Sequence, residues 1–377
     1  MMENIGLNSE VFAGGKKFHI QTQYLEPNEK VVSTIFDDGK VTLTKSIELA
    51  TNAGTAEIKL QVNKLHQDMI SDIELLFYIS DKVKMIEHAI SNNKLGLVFL
   101  SKNLIDEAMG EFKRAIEIDP EFVEAYNNLG RAYLKQKQYQ DAIDILNAGI
   151  KTNPDYADVH NNLGYVYFRL NYYSDAIAEL QRAIELNSDY VVAMFNLCLV
   201  YLKTIVDEIG EDENLPSMAK RMEKIKSLLI EIKDKRHFFK PENIETVLTY
   251  LENENIEEAV NALELAESER AEIVDYDFEN EFYLKFMFGG KGKDDDFILE
   301  YTNQLKEIVR KYPHFADLRN SLGVVYLIQC RNLFLNALEE FRQALKINPT
   351  FKKAEKNLKL AENDGKGFLI LLRAILK

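Results

Sequence analysis

YNNLGRAYLKQKQYQDAIDIL (126–146) is followed by HNNLGYVYFRLNYYSDAIAEL (160–180), so the chain writes NNLG and DAI twice, 34 residues apart. A fixed period of roughly 20–50 residues marks a stack of repeated units. The same spacing joins Leu95-Gly96, Leu129-Gly130 and Leu163-Gly164. Each Gly is followed by an aromatic three residues later (Phe99, Tyr133, Tyr167). Ala108, Ala142 and Ala176 come nine residues after those, and the large apolar Phe112, Leu146 and Leu180 four further on. Pro120 and Pro154 close two of the units, and Ser188 stands where a third Pro would fall.

Each unit reads as a pair of helices. Leu-Gly and the aromatic belong to the first helix, where Gly lets a neighbour approach closely. The small Ala and the large apolar residue share a face of the second helix, because residues three or four apart are neighbours. Pro ends the unit, since it cannot continue a helix. One pair cannot bury its apolar face alone, whereas a stack of pairs can.

This order of Leu-Gly, aromatic, Ala, large apolar residue and Pro resembles the tetratricopeptide repeat (TPR) family, with Tyr126, His160 and Met194 in the place of its characteristic Trp. The resemblance implies a mainly α fold, an α-solenoid in which helix pairs wind into a right-handed superhelix. Units are expected at 89–122, 123–156 and 157–190, with the first helix of a fourth carrying Leu197, Cys198 and Tyr201. The array then spans 89–203. A later unit, over 297–363 with a capping helix, is expected from Leu322-Gly323, Tyr326, Ala337, Phe341, Ala344 and Pro349. Residues 204–296 read as an acidic helical region with one degenerate repeat near 240–273, where Val247 replaces Gly but Tyr250, Ala259, Leu263 and Ala266 keep their spacing.

Residues 1–53 read differently. Phe18, Ile20, Thr22 and Tyr24 alternate at period two, and Asp37-Asp38-Gly39 is a hairpin signal between Val31–Phe36 and Lys40–Ile47. A small antiparallel β meander of three strands is expected. It would pack on an amphipathic helix within 54–88, whose stripe is Ile58, Val62, Leu65, Met69, Ile73 and Leu76. The stretch FHIQTQYLEPNEKVVSTIFDDGKV resembles a β segment found ahead of such repeats in bacterial proteins, which implies a bacterial source. A structural cap and a docking module are both consistent with it. The apolar tail 364–377 (GFLILLRAILK at its core) is too short to span a bilayer. It reads as a cap on the last repeat, or as a short helix for a partner or membrane surface.

The net charge is −15, from 46 basic and 61 acidic side chains, and no Lys/Arg-rich run interrupts it. Such a surface repels phosphate backbones, which excludes nucleic acid as the expected partner. The polar N-terminus lacks a signal-peptide core, and no apolar run is long enough for an integral membrane span. A cytoplasmic location is expected. Cys198 and Cys330 lie in apolar helical patterns and read as buried, reduced thiols. The six histidines are scattered, with no metal-ligand spacing. GGKGK at 289–293 lacks phosphate-loop spacing and reads as a flexible loop. No catalytic residue, metal site or cofactor is expected, and the chain reads as non-enzymatic.

In the family, the first helices line a concave groove. The resemblance places Asn128, Asn162 and Asn196 there, 34 residues apart, with Lys94, Arg131, Lys135, Arg169 and Lys203 beside them and Tyr165 among them. An Asn amide both donates and accepts, so a ladder of them suits a peptide backbone, while Arg and Lys favour carboxylates. The expected partner is an extended or acidic segment of another protein. If these asparagines serve only the ligand, replacing them with Ala leaves stability nearly unchanged. The family's clamp for a C-terminal carboxylate is not implied, because Asn93 and Leu97 occupy its places. The alternative is an assembly subunit that self-associates through the N-terminal β segment or the C-terminal tail.

Overall fold

A computed structural model describes residues 5–50, 53–207, 215–235, 239–268, 276–313 and 316–362. The chain divides into two compact units at the Leu284/Lys285 boundary.

The first unit opens with a four-stranded antiparallel sheet in the order β1 (Gly6–Ala13), β2 (Lys16–Leu25), β3 (Lys30–Asp37), β4 (Lys40–Glu48). β1 is a strand the sequence reading passed over as a polar N-terminus. Two-residue turns join β1 to β2 through Gly14-Gly15 and β3 to β4 through Asp38-Gly39, and all four turn residues have positive φ. That is the backbone a tight hairpin between twisted strands demands. Phe18, Ile20, Val31 and Ile35 are buried, as are Ile58, Val62, Met69 and Ile73 of α1 (Thr55–Lys84), against which the sheet packs.

A polar chain runs through that interface. The Thr22 and Ser33 hydroxyls are 2.6 Å apart, His66 Nδ1 lies 2.8 Å from Thr22 Oγ1, and its Nε2 lies 2.8 Å from Ser9 Oγ. Burial holds the His66 pKa below its ordinary value, so the ring is neutral and satisfied. It is a structural histidine.

The sheet is continuous with the repeats. Phe77 of α1 lies 5.5 Å, centroid to centroid, from Phe18 of β2 and 5.5 Å from Phe99 of α2 (Ala89–Ser101). Lys16 pairs with Asp37 at 3.0 Å and with Glu107 of α3 (Ile105–Ile118) at 2.5 Å. Asn103 Nδ2 donates to the Val41 carbonyl at 3.0 Å.

Glu111 on α3 is buried, and burial pushes its carboxyl up to about 7 against the opposing pull of Lys84, Arg114 and Ser80. A raised folded-state value means that the folded chain holds its proton more tightly than the unfolded chain. The contribution of Glu111 to stability is therefore fully present below the unfolded value and is lost as pH rises through about 7. Glu111→Gln removes this slope. We expect it to raise stability by on the order of 2 kcal/mol at about pH 8 and by little near pH 4 in urea titrations. An equal change at both pH values would contradict this account.

The repeat helices follow in register: α2 and α3, then α4 (Val123–Lys135) and α5 (Tyr139–Thr152), then α6 (Ala157–Arg169) and α7 (Tyr173–Leu186). Each pair turns on a residue with positive φ, Asn103, Lys137 and Asn171, again 34 apart. The amide after it donates to the carbonyl of the repeat's aromatic residue at 2.9 Å: Leu104 to Phe99, Gln138 to Tyr133, Tyr172 to Tyr167. The Gly of each unit faces the large apolar residue of the second helix. A Cβ on Gly96 would lie 2.5 Å from the Phe112 ring, and one on Gly130 2.5 Å from Leu146. Knob and notch are thus specified together.

α8 (Val191–Val206) pairs with α9 (Met218–Asp234), and α10 (Pro241–Glu252) with α11 (Ile256–Ser268). The α10–α11 turn reproduces the repeat turn, with Glu254 at positive φ and Asn255 donating to the Tyr250 carbonyl at 2.9 Å. One apolar core runs from α7 through α11, and Phe195 stacks on Phe239 at 4.6 Å within it. Cys198 is buried there, and burial pushes its thiol pKa well above the ordinary value. α12 (Tyr276–Met287) contains the boundary between the units.

The second unit holds α13 (Asp295–Lys311), α14 (Ala316–Ile347) and a further helix over 352–362. Here the structure departs from the expected helix pair, because α14 is one unbroken helix of 32 residues. No residue in it has positive φ, so the repeat turn is absent. A Cβ on Gly323 would meet nothing within 4 Å, and Ala337 is exposed, so the notch has no knob. Cys330 is exposed rather than buried. Gly289–Lys293, expected as a loose loop, contains a 3-10 turn at Lys291–Lys293, where Arg331 donates to the Gly292 carbonyl at 2.6 Å. The apolar tail 364–377 lies outside the described residues.

Candidate peptide-binding face

The first helices α2, α4, α6 and α8 lie side by side. Their asparagines are joined across the repeats. Asn128 Nδ2 donates to Asn93 Oδ1 at 2.9 Å, Asn162 Nδ2 to Asn127 Oδ1 at 2.7 Å, and Asn196 Nδ2 to Asn161 Oδ1 at 2.9 Å. The second Asn of each NN pair donates backwards, and the first accepts from the unit ahead. Asn128 and Asn196 are buried and Asn162 half-buried. Asn128 Oδ1 also accepts from Arg131 Nη1 at 3.1 Å, and Asn162 Oδ1 from Asn161 Nδ2 at 3.3 Å. The ladder therefore braces the stack, and its polar capacity is largely spent. The expectation that its removal spares stability does not fit this geometry.

The ladder has two ends. Lys94 replaces the donating Asn in the first unit, which has no repeat before it, and Phe195 replaces the accepting Asn in the fourth.

The cations divide into several situations. Lys94 donates to Asn280 Oδ1 of α12 at 3.1 Å and sits 5.2 Å from the centre of the Tyr283 ring. Burial lowers its pKa, with Glu279 opposing. Lys135 donates to the Leu100 carbonyl at 3.1 Å, at the C-terminal end of α2, where a helix favours positive charge. Lys203 pairs with Asp207 at 3.3 Å, one turn on. Arg131 and Arg169 are exposed on the adjacent helices α4 and α6. The hydrogen bond with Tyr165, with a smaller effect of Tyr139, raises the Arg169 pKa, and the Tyr165 ring lies 6.1 Å from Phe168. Arg131, Lys135, Tyr165 and Arg169 thus lie on α4 and α6, Arg131 bonded to Asn128 and Lys135 to the Leu100 carbonyl, while Lys94 meets α12 and Lys203 meets Asp207.

Two cross-ties escaped sequence reasoning. Tyr190 donates to Asp158, and burial followed by that carboxylate pushes the phenol's pKa far up. His160 Nδ1 meets Glu179 Oε2 at 2.6 Å, and its Nε2 lies 2.9 Å from the Pro154 carbonyl. The Glu179 hydrogen bond raises the His160 pKa. One repeat earlier, Tyr126 Oη donates to the Pro120 carbonyl at 3.1 Å. The residue in the characteristic Trp place thus ties the first helix to the preceding interrepeat turn, a signal visible only once Pro120 and Pro154 are aligned.

The tetratricopeptide repeat family matches over residues 99–164, and a second description of that repeat matches 157–190. Residues 99–190 are tetratricopeptide repeats. Solved structures similar to parts of the chain include MamA, YrrB and the first TPR of Spaghetti (RPAP3). MamA is 23% identical, with 46% of this chain and 95% of that chain covered and a TM-score of 0.37. YrrB, described as a TPR protein with an unusual peptide-binding site, is 22% identical over 50% of this chain and 91% of its own, with a TM-score of 0.33. The first TPR of Spaghetti (RPAP3), bound to the HSP90 peptide SRMEEVD, is 20% identical over 31% and 93%, with a TM-score of 0.30. No curated protein matches the chain. Among the described residues, no helix is long and apolar enough to cross a membrane, and no group of His, Cys, Asp and Glu side chains could hold a metal ion.

Proposed function

We propose that the chain is a non-enzymatic interaction adaptor whose tetratricopeptide first-helix face takes an acidic, extended segment of a partner protein. The observation that carries this reading is the pair Arg131 and Arg169, exposed on neighbouring first helices in a chain of net charge −15. Against so acidic a background, an exposed guanidinium pair selects carboxylates by charge and by its forked donor geometry. Tyr165, which interacts with Arg169 on α6, offers a half-buried ring to a side chain of the ligand. Asp158 on the same face is occupied by the Tyr190 hydroxyl and so competes less for the guanidinium groups. The asparagines contribute by holding α4 and α6 in register rather than by gripping the ligand.

The test is fluorescence anisotropy with labelled ten-residue peptides of acidic, neutral and basic composition. Acidic peptides are expected to bind preferentially, with an affinity that falls as salt rises. Binding without charge preference would sink the proposal. Assembly through the sheet or the tail is the weaker reading. Lys16 and Asn103 already tie the sheet to the first repeat.

A further inference from the structure

The first station of the first-helix face is filled by the chain itself. On α12, Asn280, Tyr283 and Leu284 fall at i, i+3 and i+4 and so share one side of the helix. Asn280 and Leu284 are buried. Asn280 Oδ1 accepts from Lys94 at 3.1 Å, the Tyr283 hydroxyl lies 3.2 Å from Ser91 Oγ, and the Tyr283 ring lies under the Lys94 ammonium. Glu281 Oε2 accepts from Lys102 Nζ at 3.1 Å, with both side chains largely withdrawn from solvent. Every one of these bonds joins residues at least 179 apart in sequence.

We propose that Ser91, Lys94 and Lys102 form a helix-docking site, that α12 is its built-in ligand, and that a partner helix carrying a carboxylate and a phenol in the same arrangement exchanges with α12. The chemistry is complementary on both sides: two ammonium groups and a hydroxyl on the α2 end, an amide, a carboxylate and a phenol on the incoming helix. Lys94 stands where the interrepeat ladder would otherwise place an Asn, so the position is released from bracing and turned to a ligand. The bonds reach across through long side chains, Lys94, Lys102 and Tyr283, which can part without breaking either helix. A tethered segment competes at an effective concentration on the order of millimolar, so α12 masks the site against weak ligands and yields to strong ones. This goes beyond the reading of Arg131 and Arg169, and it stands or falls separately.

The experiment uses the full chain and a labelled synthetic peptide of residues 276–288. The native chain is expected to bind it weakly. Asn280→Ala/Glu281→Ala/Tyr283→Ala, which vacates the site, is expected to bind it at least about tenfold more tightly. Adding Lys94→Ala/Lys102→Ala to that variant is expected to abolish binding. Equal affinity for the native and vacated chains, or no binding to either, overturns the proposal. Hydrogen exchange guards against a variant that misfolds. Lys102→Ala alone is expected to speed exchange of the α12 amides by about tenfold while those of α5 are unchanged. Unaltered α12 exchange also overturns it. Neither readout depends on Arg131 or Arg169, so failure of the acidic-segment reading leaves this one untouched.

Discussion

Phe112→Ala is expected to lower the stability of the repeat array by about 3–5 kcal/mol, among the largest single effects in the chain. Phe112 is fully buried and its ring fills the notch left by Gly96. Truncation therefore removes the transfer free energy of the ring and leaves a cavity that Gly96 has no side chain to fill. The partner substitution tests the lock from the other side. Gly96→Ala alone gains helix propensity of about 1 kcal/mol but drives a Cβ against the ring, for which overpacking costs about 1–3 kcal/mol. In the Phe112→Ala background the same Cβ enters empty space, so Gly96→Ala should be neutral or stabilising. A double-mutant cycle in urea reads this as a favourable coupling. Additive single effects would show that Gly96 and Phe112 are not a matched pair.

Asn128→Ala should be the next most damaging class of change. It leaves the Asn93 acceptor without its donor and takes from Arg131 the oxygen it bonds, at a cost of about 1–3 kcal/mol for a buried partner left unmet. Asn162→Ala and Asn196→Ala break the other two rungs. The triple variant should cost close to the sum of the three. The departure from additivity should lie between the last two, since Asn161 contacts both Asn162 and Asn196. Thermal or urea unfolding checks this. A triple variant as stable as the native chain would contradict the bracing role and return the ladder to the ligand.

These two predictions mark what could be read from residues alone. Leu-Gly, the aromatic, Ala and the large apolar residue were legible because helix stacking imposes them at a fixed period, and each is a local steric demand. The α1 stripe and the β2 alternation were legible for the same reason, since burial on one face writes a period into the sequence. β1 was missed because the apolar Val11 and Phe12 are adjacent, so the sequence does not alternate although the strand does, with Val11 buried and Phe12 74% exposed. α14 misled because Leu322-Gly323 and Tyr326 keep the repeat spacing while the turn that makes a pair of helices is a backbone event, and the helix runs through residues 330–336 without it. Cys330 became exposed with it.

The site was legible by position and only partly by role. The 34-residue spacing of Asn128, Asn162 and Asn196 was evident, but an isolated helix face does not say whether an amide points at a ligand or at the next repeat. The bonds across the repeats carry that information: each second Asn donates to an Asn of the unit before it. The docking of α12 on α2 left no trace at all, because contacts between side chains nearly two hundred residues apart obey no period.

The central functional claim is that Arg131 and Arg169 read negative charge on an incoming segment. The most direct test reverses them, Arg131→Glu/Arg169→Glu, and titrates native and reversed chains with the same acidic and basic peptides after unfolding measurements show equal stability. The account predicts that the native chain prefers the acidic peptide and that the reversed chain loses that preference by at least about tenfold and turns to the basic one. A reversed chain that still selects the acidic peptide would contradict it.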